Sequence, residues 1–354
     1  MSAAPLSFKS SAIRVGVIGY GYWGPNLVRN FTEAAECVVA AVADMRPERR
    51  AAVQQRYPNV RTTADYHELI ADPAIDAIAI ATPVDTHFPL ALEALRAGKH
   101  VWVEKPITTT SAEAMTLIEE AARRRLILHV DHTFIYTGAV RKIKELVSTV
   151  VGHVYYYDAV RVNLGLFQRD VNVLWDLAVH DLSILDHVLP MQPHAVSVTG
   201  ACHVNGSPED VAYLTLFFDN STIAHVHVNW LAPVKVRRTL IGGSNKMIVY
   251  DDLEPSEKIK VYDKGLRLGD NTQDGRYQML VGYRTGDMWA PQVDISEALL
   301  VEANHFADCI KKGQHTITDG EAGLRVVRIL EAATASMGNR GRVVEFVPPM
   351  KVTA

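Results

Sequence analysis

The sequence predicts an α/β fold: a doubly wound parallel sheet first, then a second α/β domain with a large, mostly antiparallel, open sheet. Three observations carry this. The first third of the chain repeats strand and helix patterns in strict alternation. Near residue 133 that alternation gives way to successive short apolar-alternating runs. A glycine-rich hexad, Gly19-Tyr20-Gly21-Tyr22-Trp23-Gly24, sits at the first strand-to-helix junction. A chain of 354 residues is long enough for two cores, so the domains are placed at 1–133 and 134–354.

Each element follows from its pattern. Ile13–Ile18 is a short apolar run ending at glycine, as a strand buried on both faces should be. Leu27, Val28, Phe31 and Ala35 recur at helical spacing behind Pro25, a residue suited to a first helical turn. Cys37–Ala43 is the second strand, Arg46–Tyr57 the second helix and Val60–Thr63 a brief third strand. Asp65–Ala71 is a helix with Asp65 as its N-cap. Ile75–Ala81 is the fourth strand, and Thr86–Ala97 a helix closed by Gly98. His100–Val103, Ser111–Arg125 and Leu126–Val130 complete a series that calls for right-handed crossovers with helices on both faces.

Beyond residue 133, Val140–Val150 is an amphipathic helix, Val154–Val162 a strand, and Val171–Leu189 a long helix stopped by Pro190. Six alternating runs follow, from Ala195 to Tyr262, parted by turn signals such as Asp219-Asn220 and Gly242-Gly243. The polar stretch Lys264–Gln292 reads as an irregular loop. Helices at Ile295–Lys312 and Gly320–Ser336 and a strand at Val343–Val347 close the chain, and residues 1–11 read as a loose leader.

The hexad is GxGxxG in the setting that gives it meaning, after a strand and at the head of a helix. One glycine permits the tight turn, one admits a pyrophosphate to the backbone, and one lets helix and strand pack closely. Free N–H groups and the helix dipole then favour the phosphates. Asp44 ends the second strand, 20 residues after Gly24. A carboxylate there accepts from the adenine-ribose hydroxyls and repels a 2′-phosphate, so NAD is expected over NADP. Arg46, Arg49 and Arg50 are either a solvated helix face or a 2′-phosphate site.

Strand carboxyl ends in such a sheet point into the ligand crevice. Thr82 and Pro83 follow the fourth strand and should border the nicotinamide, with His87 close behind as a further cofactor contact. Glu104, Lys105 and Pro106 follow the fifth strand. Pro106 restricts Lys105 to an extended backbone. Glu104 is assigned to the cofactor and Lys105 to chemistry. Asp176 and His180 stand four apart on one helix face, as a structural pair or a catalytic one.

Taken together, Gly19–Gly24, Glu104-Lys105-Pro106 and Asp176-x-x-x-His180 resemble the glucose–fructose oxidoreductase/inositol dehydrogenase (Gfo/Idh/MocA) family, over residues 13 to about 347. The resemblance implies a Rossmann dinucleotide-binding domain followed by an α/β domain whose open sheet often mediates oligomerisation. It implies Lys105, Asp176 and His180 as the catalytic groups and a cis Lys105–Pro106 bond. Asp131-His132-Thr133-Phe134 and Gly282-Tyr283-Arg284-Thr285-Gly286-Asp287 look like segments of members that act on nucleotide-linked sugars, although many relatives have a small residue where Asp131 stands.

The chemistry expected is hydride transfer between nicotinamide and a secondary alcohol or ketone of a sugar. His180 is the candidate base, since an ordinary imidazole titrates near operating pH. Lys105 stabilises charge developing on the reacting oxygen, and Asp176 orients His180 or binds a neighbouring hydroxyl. Arg161, Asn163 and Tyr283 are further candidate substrate contacts. An inositol or free-sugar dehydrogenase and a non-catalytic dinucleotide-binding regulator are the alternatives.

Composition bounds the rest. A net charge of −4 supplies no field for nucleic acid or an anionic membrane. No apolar run of transmembrane length occurs. Cys37, Cys202 and Cys309 have no metal spacing and read as reduced core thiols of a cytoplasmic protein. His225-x-His227 lacks a third ligand nearby in sequence, so no metal is assigned. An open sheet with one apolar face calls for cover, so a homodimer or homotetramer is expected.

Overall fold

The computed structural model describes residues 12–165, 171–204, 208–268 and 281–346; the leader 1–11 lies outside them. No helix among the described residues is long and apolar enough to cross a membrane. Two compact units emerge. Described residues within Met1–Thr133 and Glu297–Leu324 form one, and those within Phe134–Ser296 and Arg325–Ala354 form the other.

The first unit alternates β1 (Ile13–Ile18), α1 (Gly24–Glu33), β2 (Cys37–Ala43), α2 (Pro47–Arg56), β3 (Arg61–Thr63), α3 (His67–Ala71), β4 (Ala77–Ile80), α4 (His87–Arg96), β5 (His100–Glu104), α5 (Ser111–Arg124) and β6 (Leu128–Asp131). The strands run in the order β3-β2-β1-β4-β5-β6 and pair in parallel throughout. This is the doubly wound order with its switch point at β1. Val15, Val17 and Ala77 to Ile80 are fully buried, which is why these strands read as continuous apolar runs.

Register places the functional edge. Ile18 pairs with Ala43 and with Ile80, Ile80 with Val103, and Val103 with Val130. The next residue of each strand or loop therefore reaches the same rim: Gly19, Asp44, Ala81, Glu104 and Asp131. α3 starts two residues later than the pattern suggests, because the Asp65 carboxylate takes the N–H of His67 at 3.0 Å and its Nδ1 at 2.6 Å.

Helix Ala298–Lys312 belongs to this unit although it follows some 160 residues of the other. Its apolar stripe explains the return. Leu299, Ala303 and Phe306 are buried in one core with Phe31 and Trp102. Phe306 meets Trp102 edge-on at 5.5 Å, and Trp102 meets Phe31 at 5.0 Å, both favourable geometries for aromatic rings.

In the second unit come α6 (Gly138–Leu146), β7 (Val154–Leu164), α7 (Val179–Val188), β8 (Ala195–Ala201), β9 (Val211–Phe217), β10 (Ile223–Asn229), β11 (Leu231–Gly243), β12 (Met247–Asp251), β13 (Ile259–Tyr262), β14 (Gly265–Leu268), β15 (Val281–Arg284), β16 (Met288–Trp289) and β17 (Val344–Glu345). Nine of these strands form one sheet in the order β16-β13-β12-β11-β7-β10-β9-β8-β17. Every pair in it is antiparallel except β10 with β7. Alternation is regular along β9 and β10: Ala212, Leu214, Leu216, Ala224, Val226 and Val228 are buried, while Tyr213, Ile223 and His225 face out. β11 outruns the strand expected at Val236–Ile241 because β7 and β12 pair along its two edges.

Two expectations are corrected here. Lys264–Gln292 is not wholly irregular, since β14 pairs with β15 and β16 with β13. The long helix at Val171–Leu189 is broken: Leu174–Ala178 winds as a π-helical turn before α7 begins. Such wide turns are frequent at functional sites. Cys202 is exposed, whereas Cys37 and Cys309 are core thiols as expected.

The contribution of the returning helix is measurable. Phe306→Ala is expected to cost about 3–5 kcal/mol, the usual range for emptying a buried aromatic site. Urea unfolding should report it as a lower midpoint at unchanged slope.

Candidate functional site

The glycine loop meets three separate demands. Gly19 has φ +94°, and a Cβ on it would lie 2.5 Å from the Ala81 carbonyl oxygen. A Cβ on Gly24 would lie 2.2 Å from the Gly19 carbonyl oxygen, closer than any side chain permits. At Gly21 the space is open, the nearest atom to a Cβ being Arg46 Nη2 at 3.7 Å. That is the approach a pyrophosphate requires. Ten-residue α1 starts with Pro25 in its first turn and no side-chain cap, so no side chain of its own occupies the N-terminal end where the helix dipole favours an anion. Of the loop's aromatics, Tyr20 is buried, Tyr22 is exposed, and Trp23 turns its indole N–H to Asp131 Oδ2 at 3.1 Å.

Asp44 is buried at the rim and accepts the Tyr20 N–H at 2.8 Å. Arg46 supplies three further donors: its N–H at 2.9 Å, Nε at 3.0 Å and Nη2 at 2.8 Å. Burial works against the charge, but the Arg46 guanidinium and the backbone N–H groups of Arg46 and Tyr20 outweigh it and hold the carboxyl down at about 2. Arg50 Nη1 donates to the Asp44 and Met45 carbonyls at 2.7 and 2.8 Å. Neither arginine therefore belongs to an uncommitted solvated face.

Thr82 and Pro83 follow β4 on the same rim. The Thr86 hydroxyl donates to the Pro83 carbonyl at 2.7 Å and lies 2.6 Å from the Thr82 hydroxyl, which donates to it in turn. His87 is buried with Nδ1 2.8 Å from the Pro106 carbonyl and Nε2 2.9 Å from the Thr82 carbonyl. Burial lowers the imidazole and the two carbonyls oppose this. Both ring nitrogens are thus engaged by backbone: His87 braces the β4 and β5 loops instead of presenting a donor to a ligand. The Lys105–Pro106 peptide is cis, as the resemblance implied.

A buried carboxyl cluster stands beside Lys105. Glu104 on β5 pairs in register with Asp131 on β6. The Asp131 carboxylate accepts from Trp23 Nε1 and from the Thr133 hydroxyl. Glu302 comes from helix Ala298–Lys312 and lies with His129 Nε2 3.0 Å from its Oε1, both side chains fully buried. Burial first, then Asp131, drives Glu104 far above the carboxyl range, and Glu302 moves the same way for the same reasons plus Glu104. Glu302 was missed in the sequence. Its signal is a carboxyl on an apolar stripe, since Leu299, Glu302, Ala303 and Phe306 share one helix face.

Asp176 and His180 lie in the second unit, on the π turn and the first turn of α7. Asp176 Oδ2 accepts from Trp230 Nε1 at 3.1 Å, and Trp230 is fully buried. The His180 ring meets Phe134 edge-on at 5.1 Å. Arg161 is buried in a two-pronged pair with Asp181, Nε to Oδ2 at 2.6 Å and Nη2 to Oδ1 at 3.1 Å. Its guanidinium also covers Phe134 at 4.5 Å, with Arg237 at 5.5 Å from the same ring. Arg161 therefore orders the core around Phe134, while its buried Nη1 has no hydrogen-bond partner among the described residues. Asn163 is half-buried on β7. Tyr283 falls on β15, and its side chain lies outside the described residues. His227 stacks on Tyr213 at 4.3 Å, and His225 Nδ1 lies 3.6 Å from Asp158.

Comparison with known proteins settles the family. Residues 13–132 match the oxidoreductase family's NAD-binding Rossmann fold, and residues 168–346 match its C-terminal alpha/beta domain. The chain belongs to the Gfo/Idh/MocA oxidoreductase family. UDP-N-acetylglucosamine 3-dehydrogenase from Acidithiobacillus ferrooxidans is 28% identical over 320 residues, 89% of this chain and 94% of that one. Its solved structure aligns with a TM-score of 0.78 at 26% identity, over 92% of this chain and 98% of that chain. Myo-inositol 2-dehydrogenase from Thermotoga maritima is 24% identical, over 94% and 98% of the two chains. Levoglucosan dehydrogenase in complex with NADH and levoglucosan shares the fold at a TM-score of 0.81 and 20% identity, over 96% and 100%. The chain is accordingly an NAD-binding oxidoreductase with its glycine loop, Asp44 and the β4 and β5 ends gathered on one rim.

The glycines separate experimentally. Gly21→Ala should leave thermal unfolding of the ligand-free protein unchanged while weakening NAD binding, whereas Gly24→Ala should lower both; calorimetric titration and a melting curve distinguish them. Asp44 adds a pH signature. Its folded pKa lies below the ordinary value, so its stabilisation is full above about pH 4 and fades as pH falls toward about 2. Asp44→Asn should flatten that acid limb of stability measured by urea titration.

Proposed function

We propose that this enzyme oxidises a secondary hydroxyl of a nucleotide-linked sugar, or reduces the matching ketone, with NAD as hydride carrier in the cytoplasm. The observation that carries the reading is the placement of Lys105. It follows β5 directly, on the rim that holds the glycine loop and Asp44, in a chain that also keeps Asp176 and His180. Likeness to the UDP-N-acetylglucosamine enzyme over almost all of both chains supports the nucleotide-linked class. Likeness to the inositol enzyme supports a cyclitol as second reading.

When bound, nicotinamide supplies the acceptor or donor of hydride. Gly19 to Gly24 and the start of α1 would hold the pyrophosphate, Asp44 the adenosine ribose, and Thr82 and Pro83 the edge of the nicotinamide. His180 takes the hydroxyl proton of the substrate. Lys105 donates a hydrogen bond to the same oxygen as negative charge develops there. Asp176, itself tied to Trp230, keeps the imidazole in place. Reduction runs the same proton transfers backward. The outward face of β9 and β10, with Tyr213 and Ile223, supports a homodimer or homotetramer.

The deciding experiment is an absorbance assay of NADH formation across UDP- and TDP-sugars, inositols and free hexoses, with thermal-shift measurements on the same panel. Nucleotide sugars are expected to raise the melting temperature and turn over. Lys105→Ala and His180→Ala should each lower kcat by about a hundredfold or more. Tight NAD binding with no turnover of any compound would instead make the protein a dinucleotide-binding regulator.

A further inference from the structure

The end of β2 carries more than the aspartate expected to greet the adenosine ribose. A carboxylate offers about four lone-pair positions to donors. Those of Asp44 are already taken. Oδ1 accepts the Arg46 N–H at 2.9 Å and its Nε at 3.0 Å. Oδ2 accepts the Tyr20 N–H at 2.8 Å and Arg46 Nη2 at 2.8 Å. The Arg46 guanidinium thus makes two of the bonds that ribose hydroxyls would make. It also covers the charge: its side chain is 49% exposed and that of Asp44 only 5%, so a group arriving from solvent meets the cation first.

Position ties this cation to the cofactor. Arg46 Nη2 is the nearest atom to the open space at Gly21, 3.7 Å from where a Cβ would lie. Arg50 brings a second guanidinium to the same loop. Its Nη1 donates to the Asp44 and Met45 carbonyls at 2.7 and 2.8 Å, two neutral acceptors that do not cancel its charge. An aspartate at this place ordinarily repels a 2′-phosphate. Here the repelling group is sheathed by one guanidinium and flanked by another, and guanidinium is the side chain best matched to a phosphate. NAD has to draw its ribose hydroxyls into bonds that Arg46 already makes, whereas NADP brings a phosphate to Arg46 itself.

We propose that Arg46 sets the dinucleotide preference of this enzyme: its two-pronged pairing with Asp44 removes the barrier to a 2′-phosphate, so the site takes NADP as well as NAD. The proposal rests on the glycine loop and Asp44 holding the dinucleotide.

Calorimetric titration of the full-length protein with NAD and with NADP tests it. The pyrophosphate and nicotinamide are common to both ligands and cancel in the ratio of their Kd values. In wild type, NADP should bind within about tenfold of NAD, and added salt should weaken NADP more than NAD. Arg46→Ala bares the carboxylate, so NADP should lose about tenfold or more relative to NAD. Arg46→Lys keeps a charge without the two-pronged geometry and should fall between the two. Melting curves of the ligand-free variants read folding separately, and Arg46→Lys decides alone if Arg46→Ala does not fold. Wild type that binds NADP more weakly than NAD by more than about tenfold overturns the proposal, as does an Arg46→Ala protein with the wild-type ratio. Binding of neither dinucleotide would sink the cofactor site itself and the proposal with it, an outcome distinct from loss of NADP alone.

Discussion

A backbone oxygen occupies the place where residue 24 would otherwise carry its Cβ. That close approach of Gly24 to the Gly19 carbonyl brings α1 down onto the end of β1, and the rest of the rim is arranged around it. Because β2, β4, β5 and β6 are aligned in register with β1 or through one another, their loops begin at one level. Asp44, Thr82, Glu104, Lys105 and Asp131 are neighbours of the glycine loop for that reason, although up to 112 residues separate them in sequence from Gly19 to Asp131.

Carboxyl groups on that rim are driven to opposite states by their partners. Asp44 is surrounded by N–H donors and a guanidinium, so it stays charged in spite of burial. Glu104 is buried against another carboxyl, so it is held toward the neutral form. The distinction lies in the neighbours, since the two acids differ little in intrinsic strength. One end of the rim therefore carries a charged carboxylate, and the other carries buried carboxyls held toward the neutral form.

Much of this was legible in the chain. Strands buried on both faces print continuous apolar runs, and the glycine hexad between a strand and a helix has few other uses. The open sheet was legible as alternation with turn signals. What escaped depended on partners far away in sequence. The pairing of Arg161 with Asp181 could not be read because its partner lies 20 residues on, in another element. His87 looked like a cofactor contact because nothing local reveals that the Thr82 and Pro106 carbonyls fill both sides of its ring. The π turn at Leu174–Ala178 has no signature in residue pattern, since a wide turn uses the same apolar residues as an ordinary helix. Glu302 was visible as an acid on an apolar face, but its meaning came from His129 and Asp131.

The return of Glu297–Leu324 to the first unit has an architectural consequence. Trp102 and Phe31 find part of their packing, and His129 its carboxyl partner, in a segment made after eight of the nine strands of the second unit's sheet. Neither half is a cassette that can be excised with one cut. A recombinant fragment stopping at residue 133 would expose an aromatic wall and strand a buried imidazole, and on the ribosome the nucleotide-binding half can complete its core only after most of the other half has been synthesised.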